Sequence, residues 1–416
     1  MLYLLQLEWT KIKRTRMIYI LILLVLLAIG SYFFFIDKKS ITLEEIEQHV
    51  AENVVYFEEL VASMKKDSEN LNSMEKEVIS NMTRHYDGYV TMQEGVAARD
   101  WVLYWQGDLL NFSKQGENAQ EQLETYKNSY MYPTPFTVLV HMDKMRWMEE
   151  RAIQPLAIGL QNQTLTLYDQ DFSDPQIEGI AQNLSQFYSS TGTYFLYHLF
   201  QYGFSLAGLI FFLFLFADIL TKEGFGRNGP IHLLRTMPMR RATFWVSKAL
   251  AVILGSLLII GLVAVVGLGL GTLFNRLGDW QYPMLIYGPE RTYTLLSLAE
   301  FLGKAGLLFV VMLAFGFSFL FLLSILTNRA ILAIGLTVVV LVFGQQLTEQ
   351  TLLVSWTHWL PFHYLDVYAI LNGEYAILHN NPLLTYGQGM LSLIVSTFIL
   401  LGITFGAVKL RKGVMS

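Results

Sequence analysis

The chain has 416 residues, 53% of them hydrophobic, and a net charge of −5. The apolar excess gathers in runs of about 18 residues or more, the signature of membrane helices, so an ordinary soluble class is excluded. With no cysteine present, disulfides, thiolate catalysis and cysteine-ligated zinc or iron–sulfur centres are excluded as well.

At the start, Leu2, Leu5, Trp9 and Ile12 recur at helical spacing, while Glu8, Lys11 and Arg14 lie away from that face. This pattern predicts an interfacial helix over 1–16, apolar side toward the bilayer. A plain basic flank to the first span is the alternative. Residues 17–36 form an apolar run too long for a signal-peptide core. The following YFFFIDKK offers no small-residue cleavage site, so the run reads as an uncleaved transmembrane anchor.

Residues 37–195 are the one block of soluble-domain size. The stretch from Asp37 to Phe195 holds 25 acidic and 12 basic residues, a net of −13, which leaves +8 for the rest of the chain. Thr42 followed by Glu45 is a capping-box pattern. It opens a helix with Ile46, Val50, Val54, Phe57, Leu60 and Val61 on one face. NLNSMEKEVISNM, ARDWVLYWQGDLLNF, NAQEQLETYKNSYMY and HMDKMRWMEERA continue in helical style, the last ended by Pro155. QTLTLY alternates and predicts a short strand. Ser173-Asp174-Pro175 predicts the cap and first turn of a final helix. The many aromatic residues read as core rather than as a ligand cage.

Five further spans are predicted at about 196–219, 245–274, 303–327, 330–347 and 387–408, each near the length a ~30 Å hydrocarbon layer requires. Gly267 and Gly271 in the third span lie four apart, a spacing that lets another helix approach closely, although such glycines are also ordinary in membrane helices. Lysine and arginine set the orientation. Lys11, Lys13, Arg14 and Arg16 precede span one. Lys222, Arg227, Arg235, Arg240, Arg241 and Lys248 follow span two. Arg329 joins spans four and five, and Lys409, Arg411 and Lys412 end the chain. Six spans put all four segments on the cytoplasmic side, with residues 37–195 outside. The outer segment 348–386, with WTHWLPFHYLDVYAILNGEYAIL, is too aromatic for a solvated loop and too broken by Pro361, Asn372 and Gly373 for a span. It predicts short re-entrant helices sheltered by protein, with Trp356, Trp359, Tyr364 and Tyr368 at headgroup level.

Catalytic chemistry is missing from the pattern. There is no G-x-x-x-x-G-K-[ST] loop, and GFGRNG follows a membrane span rather than a strand. There is no H-E-x-x-H. His358 and His363 are five apart, the wrong spacing for one helical face, and His198 reads as a packed polar group. Asp218 at the end of span two has Lys222 four residues on, which favours an interfacial ion pair over a buried functional acid. No metal site, cofactor or nucleic acid is expected.

The segment ILTKEGFGRNGPIHLLRTMPMRR, within 219–244, needs another explanation, because a plain connector requires only a few turn residues. Taken with LEWTKIKRTR before span one, the later FWVSKAL, the six spans and the aromatic re-entrant stretch, it resembles the permease subunit of a type-2 ABC exporter. The resemblance covers most of the membrane part but not residues 37–195. It implies an all-α polytopic protein of a bacterial plasma membrane, both termini cytoplasmic. The loop 219–244 would then be a coupling element docked on a separate ABC ATPase, present in two copies, which carries the ATP and Mg. A second permease, identical or homologous, would complete the pathway within the lipid bilayer. Turns at Gly224, Gly226, Gly229 and Pro230 would let the loop leave the membrane and return. Ile231, Leu233 and Leu234 would supply apolar contact, and Glu223, Arg227, Arg235, Arg240 and Arg241 polar contact. Two rivals remain: an anchored sensor or resistance protein acting through its acidic outer domain, and an ion-coupled secondary transporter. The latter would need midplane charges that the spans mostly lack.

Overall fold

The structure is a computed structural model that describes residues 2–66, 73–125, 129–157, 165–185, 188–221, 241–327, 330–350 and 356–413. In chain order come α1 (Leu2–Arg14), α2 (Arg16–Asp37), α3 (Leu43–Lys66), α4 (Ser73–Ala98), α5 (Trp101–Thr125), α6 (Pro135–Glu150), α7 (Pro175–Ser185), α8 (Gly192–Gly203), α9 (Leu206–Thr221) and α10 (Arg241–Phe274). Strands β1 (Pro283–Tyr287) and β2 (Tyr293–Ser297) follow, then α11 (Leu298–Thr327), α12 (Ala330–Gln350), α13 (Val367–Leu371), α14 (Glu374–Leu378) and α15 (Tyr386–Gly413). The chain is mostly helical, as its patterning requires, and divides into two compact units: residues 1–33, 195–273 and 300–416, and residues 34–194 with 274–299.

In the second unit, α3, α4, α5 and α6 pack in sequence, each against the next. Their starts follow from local chemistry. The amide of Thr42 donates to Glu45 Oε2 at 2.7 Å and the amide of Glu45 to Thr42 Oγ1 at 3.2 Å, which is the capping box. Asp100 accepts from the amides of Val102 and Leu103 at the head of α5. Thr134 caps α6 ahead of Pro135, and Asp174 accepts from the amide of Gln176 at the head of α7. The core gathers Ile46, Val50, Met92, Val96, Tyr104, Trp105, Met145 and Ile153. Trp105 is fully buried because its indole N–H finds the Ile153 carbonyl at 2.6 Å.

Two expectations for this unit are corrected. The stretch QTLTLY forms no strand among the described residues. Instead Thr166 and Asp169 turn back on the start of α6. Asp169 accepts from the amide and hydroxyl of Thr134, from the Thr137 hydroxyl, and from the amide and hydroxyl of Thr166. A carboxylate with so many donors pins the loop without any sheet partner. The unit also extends beyond 37–195, because β1 and β2 form an antiparallel hairpin that belongs to it. Tyr282 packs on the same core, Trp147 donates to the Gln281 carbonyl, and the Tyr293 hydroxyl donates to Asp143 at 2.6 Å.

Among the described residues, five helices are long and apolar enough to cross a membrane: Arg16–Asp37, Val246–Phe274, Leu298–Thr327, Ile331–Thr348 and Tyr386–Ala407. The predicted span 196–219 is not one straight helix. It is the pair α8 and α9, bent by 75°, so the described residues hold five candidate spans, or six if the pair counts as one. The Ser205 hydroxyl donates to the Tyr202 carbonyl, and the Ser205 carbonyl accepts from the amide of Leu209, which restarts the helix. Gly208 makes the break possible, since a Cβ there would lie 1.8 Å from the Gly203 carbonyl oxygen.

The segment before α15 contains two 3₁₀ turns, Thr357–Trp359 and Pro361–Leu365, as well as α13 and α14. Trp356 and Trp359 are exposed, at 60% and 51%. Tyr364 and Tyr368 are buried within the protein. Their hydroxyls donate to the carbonyls of His358 and Tyr197, and that pairing is what allows a buried phenol.

Candidate coupling region

Helix α9 delivers the chain to Thr221, and α10 takes it up again at Arg241. Glu223, Gly224, Arg227, Gly229, Pro230, Ile231, Leu234, Arg235 and Arg240 lie outside the described residues, as does Lys222, the partner expected for Asp218. Arg241 opens α10, with only its backbone described. What the structure supplies is the frame that holds the two ends of this segment.

Lys248, on the second turn of α10, is 1% exposed. Its Nζ donates to the carbonyl of Ile219 at 2.9 Å. That carbonyl belongs to the last turn of α9, whose final C=O groups have no intrahelical partner. An ammonium there satisfies an orphan acceptor and meets the negative end of the helix dipole. Lys248 therefore ties the helix entering the loop to the helix leaving it. One turn deeper, Phe216 of α9 lies against Gly255 of α10, where a Cβ would stand 2.9 Å from Phe216 Cζ.

Helix α1 packs beside α9. Its buried stripe is Leu4, Glu8 and Ile12, spaced four apart. The expected apolar face was Leu2, Leu5, Trp9 and Ile12, with Glu8 turned away, and this is corrected: Glu8 is 1% exposed. It is tolerated because Lys11 Nζ reaches Glu8 Oε1 at 2.8 Å, one turn on. Ile12 Cδ1 comes within 3.8 Å of the Cβ position of Gly255. Helices α1, α9 and α10 thus meet at Ile12, Phe216 and Gly255. Nothing in hydropathy alone would find Glu8 on the packed side; its i+3 lysine was the available signal.

Two cavities border this frame. One of about 240 Å³ is bounded by α10, α11 and α15, with Phe317, Phe321 and Leu401 for walls and Lys248 and Ser318 as polar groups. The other, of about 330 Å³, lies around the α8–α9 break and is lined by Phe200, Phe204, Phe212 and Phe309. Gly267 sits against α8, where a Cβ would be 2.6 Å from Leu199 Cδ1; Gly271 is buried on the same helix. In the outer segment, His363 Nδ1 lies 3.1 Å from the Tyr375 hydroxyl. Among the described residues no group of three or more acidic or histidine side chains could hold a metal ion.

This is an apolar, helical frame around a short basic connection. Lys248 joins the ends of α9 and α10, and among the described residues of the frame no acid–base or nucleophilic constellation is assembled. No curated protein and no solved structure matches the chain. A family model described as "ABC-2 family transporter protein" does match, over residues 13–405. Covering nearly the whole sequence, it shows that the chain belongs to the ABC-2 transporter family and is a membrane-embedded permease of type-2 ABC architecture.

Proposed function

We propose that the chain is the permease subunit of an ATP-driven exporter and that it couples to its ATPase through residues 219–244. The pair α8–α9 counts as one span in this reading, which gives six, with both termini cytoplasmic and residues 37–195 outside. ATP and Mg are bound by two ATPase subunits. A second permease, identical or homologous, supplies the other half of the pathway. Glu223, Arg227, Arg235, Arg240 and Arg241 make polar contacts with the ATPase, Ile231 and Leu234 fill its apolar groove, and Gly224, Gly229 and Pro230 shape the turns. Gly267 and Gly271 serve close helix packing.

The observation that most supports this is the bond from Lys248 to the Ile219 carbonyl. A push on the loop reaches α9 and α10 together because their ends are joined, so the two move as one lever when ATPases close. The apolar walls around the break in α8–α9 suit an amphipathic cargo. Affinity purification of the tagged protein in mild detergent tests the reading. A Walker-motif ATPase should copurify in stoichiometric amount; recovery of the permease alone across several detergents would reject it.

A further inference from the structure

The second unit contains a cavity of about 240 Å³ with a mixed lining. Its lining combines apolar Ile41, Leu43 and Ile46 with polar Ser189, Thr191 and Arg276. The Arg276 guanidinium donates from Nη2 to the Pro155 carbonyl at 3.1 Å. A guanidinium has five donors, and Arg276 forms no ion pair with a carboxylate among the described residues. Asp279 is the acidic group that favours its charge, and Arg99, ion-paired with Glu47 at 3.4 Å, opposes it. Burial is the larger effect and holds the Arg276 pKa down to about 10, which leaves it charged at neutral pH.

Hydroxyl-bearing residues share the cavity lining with this cation. The Ser189 and Thr191 hydroxyls are 3.1 Å apart and both residues are buried. Next to them Asn275 donates to the Ser190 hydroxyl at 2.9 Å, and the Ser190 amide donates to the Ser40 hydroxyl at 3.1 Å. The stretch from Asp37 to Phe195, which supplies most of this unit, carries a net charge of −13, and Arg276 is a partly buried positive charge added to it from outside that stretch. Position along the chain adds a second argument. Asn275 and Arg276 directly follow α10, Ile41 comes four residues after α2, and Thr191 immediately precedes α8. Along the chain, the residues that line the cavity thus adjoin the ends of three apolar helices.

We propose that this cavity is a phosphate site that takes the headgroup phosphate of a membrane phospholipid. Arg276 pairs with the phosphate oxygens, as arginine does through parallel N–H donors, Ser189 and Thr191 add hydroxyl donors, and Ile41, Leu43 and Ile46 cover the apolar glycerol end. This site is separate from the coupling region, and its existence does not depend on how the ATPase docks.

The test uses the full-length protein in detergent, with dihexanoyl-phosphatidylglycerol and inorganic phosphate as probes, and saturable binding read by calorimetry. The lipid should bind and be displaced by phosphate only at concentrations at least tenfold higher. Arg276→Gln should weaken lipid binding at least tenfold, and Arg276→Lys less. Because Arg276 also holds the Pro155 carbonyl, Leu43→Glu is the second variant. It keeps Arg276 but adds a carboxylate to the cavity lining, and it should weaken binding similarly while remaining folded, as judged by a cooperative melt. Unchanged lipid affinity in Leu43→Glu, or in a folded Arg276→Gln, overturns the site. Equal affinity for inorganic phosphate and the lipid overturns the lipid as occupant.

Discussion

Asp108 is 2% exposed, and its Oδ2 has no hydrogen-bond partner among the described residues. Burial pushes its pKa up to about 7, against ~3.9 for an unperturbed aspartate. Between these values the folded protein holds a proton that the unfolded chain releases. The resulting stabilisation is complete below about pH 4 and is lost as pH rises through about 7, amounting at most to something on the order of 4 kcal/mol. His85 and His49 act in the opposite sense, since burial lowers the pKa of each. The comparison must therefore be with Asp108→Asn. Relative to the parent, that variant should gain stability between pH 5 and pH 8, as measured by thermal melting. An identical pH dependence in the two proteins would contradict the account. Nothing in the sequence marked Asp108, because a single acid in WVLYWQGDLL reads as a solvated helix position. Thr42 and Glu45 were legible, since a capping box is a contact between near neighbours that needs no tertiary information.

At the scale of elements, long apolar runs were readable because lipid demands continuous hydrophobic helix. The break between α8 and α9 was not, since the run from Phe204 to Phe216 stays apolar on both sides of it. Only Gly203, Ser205 and Gly208 carried a signal, and glycine is common in membrane helices. The hairpin was missed for a related reason: PMLIY and YTLLS have five residues each, lie next to the apolar run of α11, and are joined by a turn in which Glu290 and Arg291 both take positive φ. The break yields a sharp expectation. Gly208→Ala forces its Cβ against the Gly203 carbonyl, so it should cost about 1–3 kcal/mol and lower the melting temperature in detergent. Gly203→Ala meets nothing within 4 Å and should melt like the parent. Equal melting of the two variants would mean that the bend does not depend on Gly208.

For the molecule as a whole, family membership was legible in the arrangement of spans and in the basic segment after span two. The role of the domain that grows from the first loop was not, because it leaves no motif. The ordering of charge, acidic from Asp37 to Phe195 and basic elsewhere, fits a chain whose parts face opposite sides of a bilayer. The central claim is that a separate ATPase drives these helices through residues 219–244. Replacing Ile231 and Leu234 together by Asp places charge in the proposed apolar contact, a change that costs several kcal/mol in comparable interfaces. The decisive measurement is the amount of ATPase that copurifies with the Ile231→Asp/Leu234→Asp protein, with melting temperature and membrane insertion as controls. The account predicts an inserted, folded permease that loses its ATPase; a double variant that retains the full complement, with hydrolysis still responsive to cargo, would contradict it.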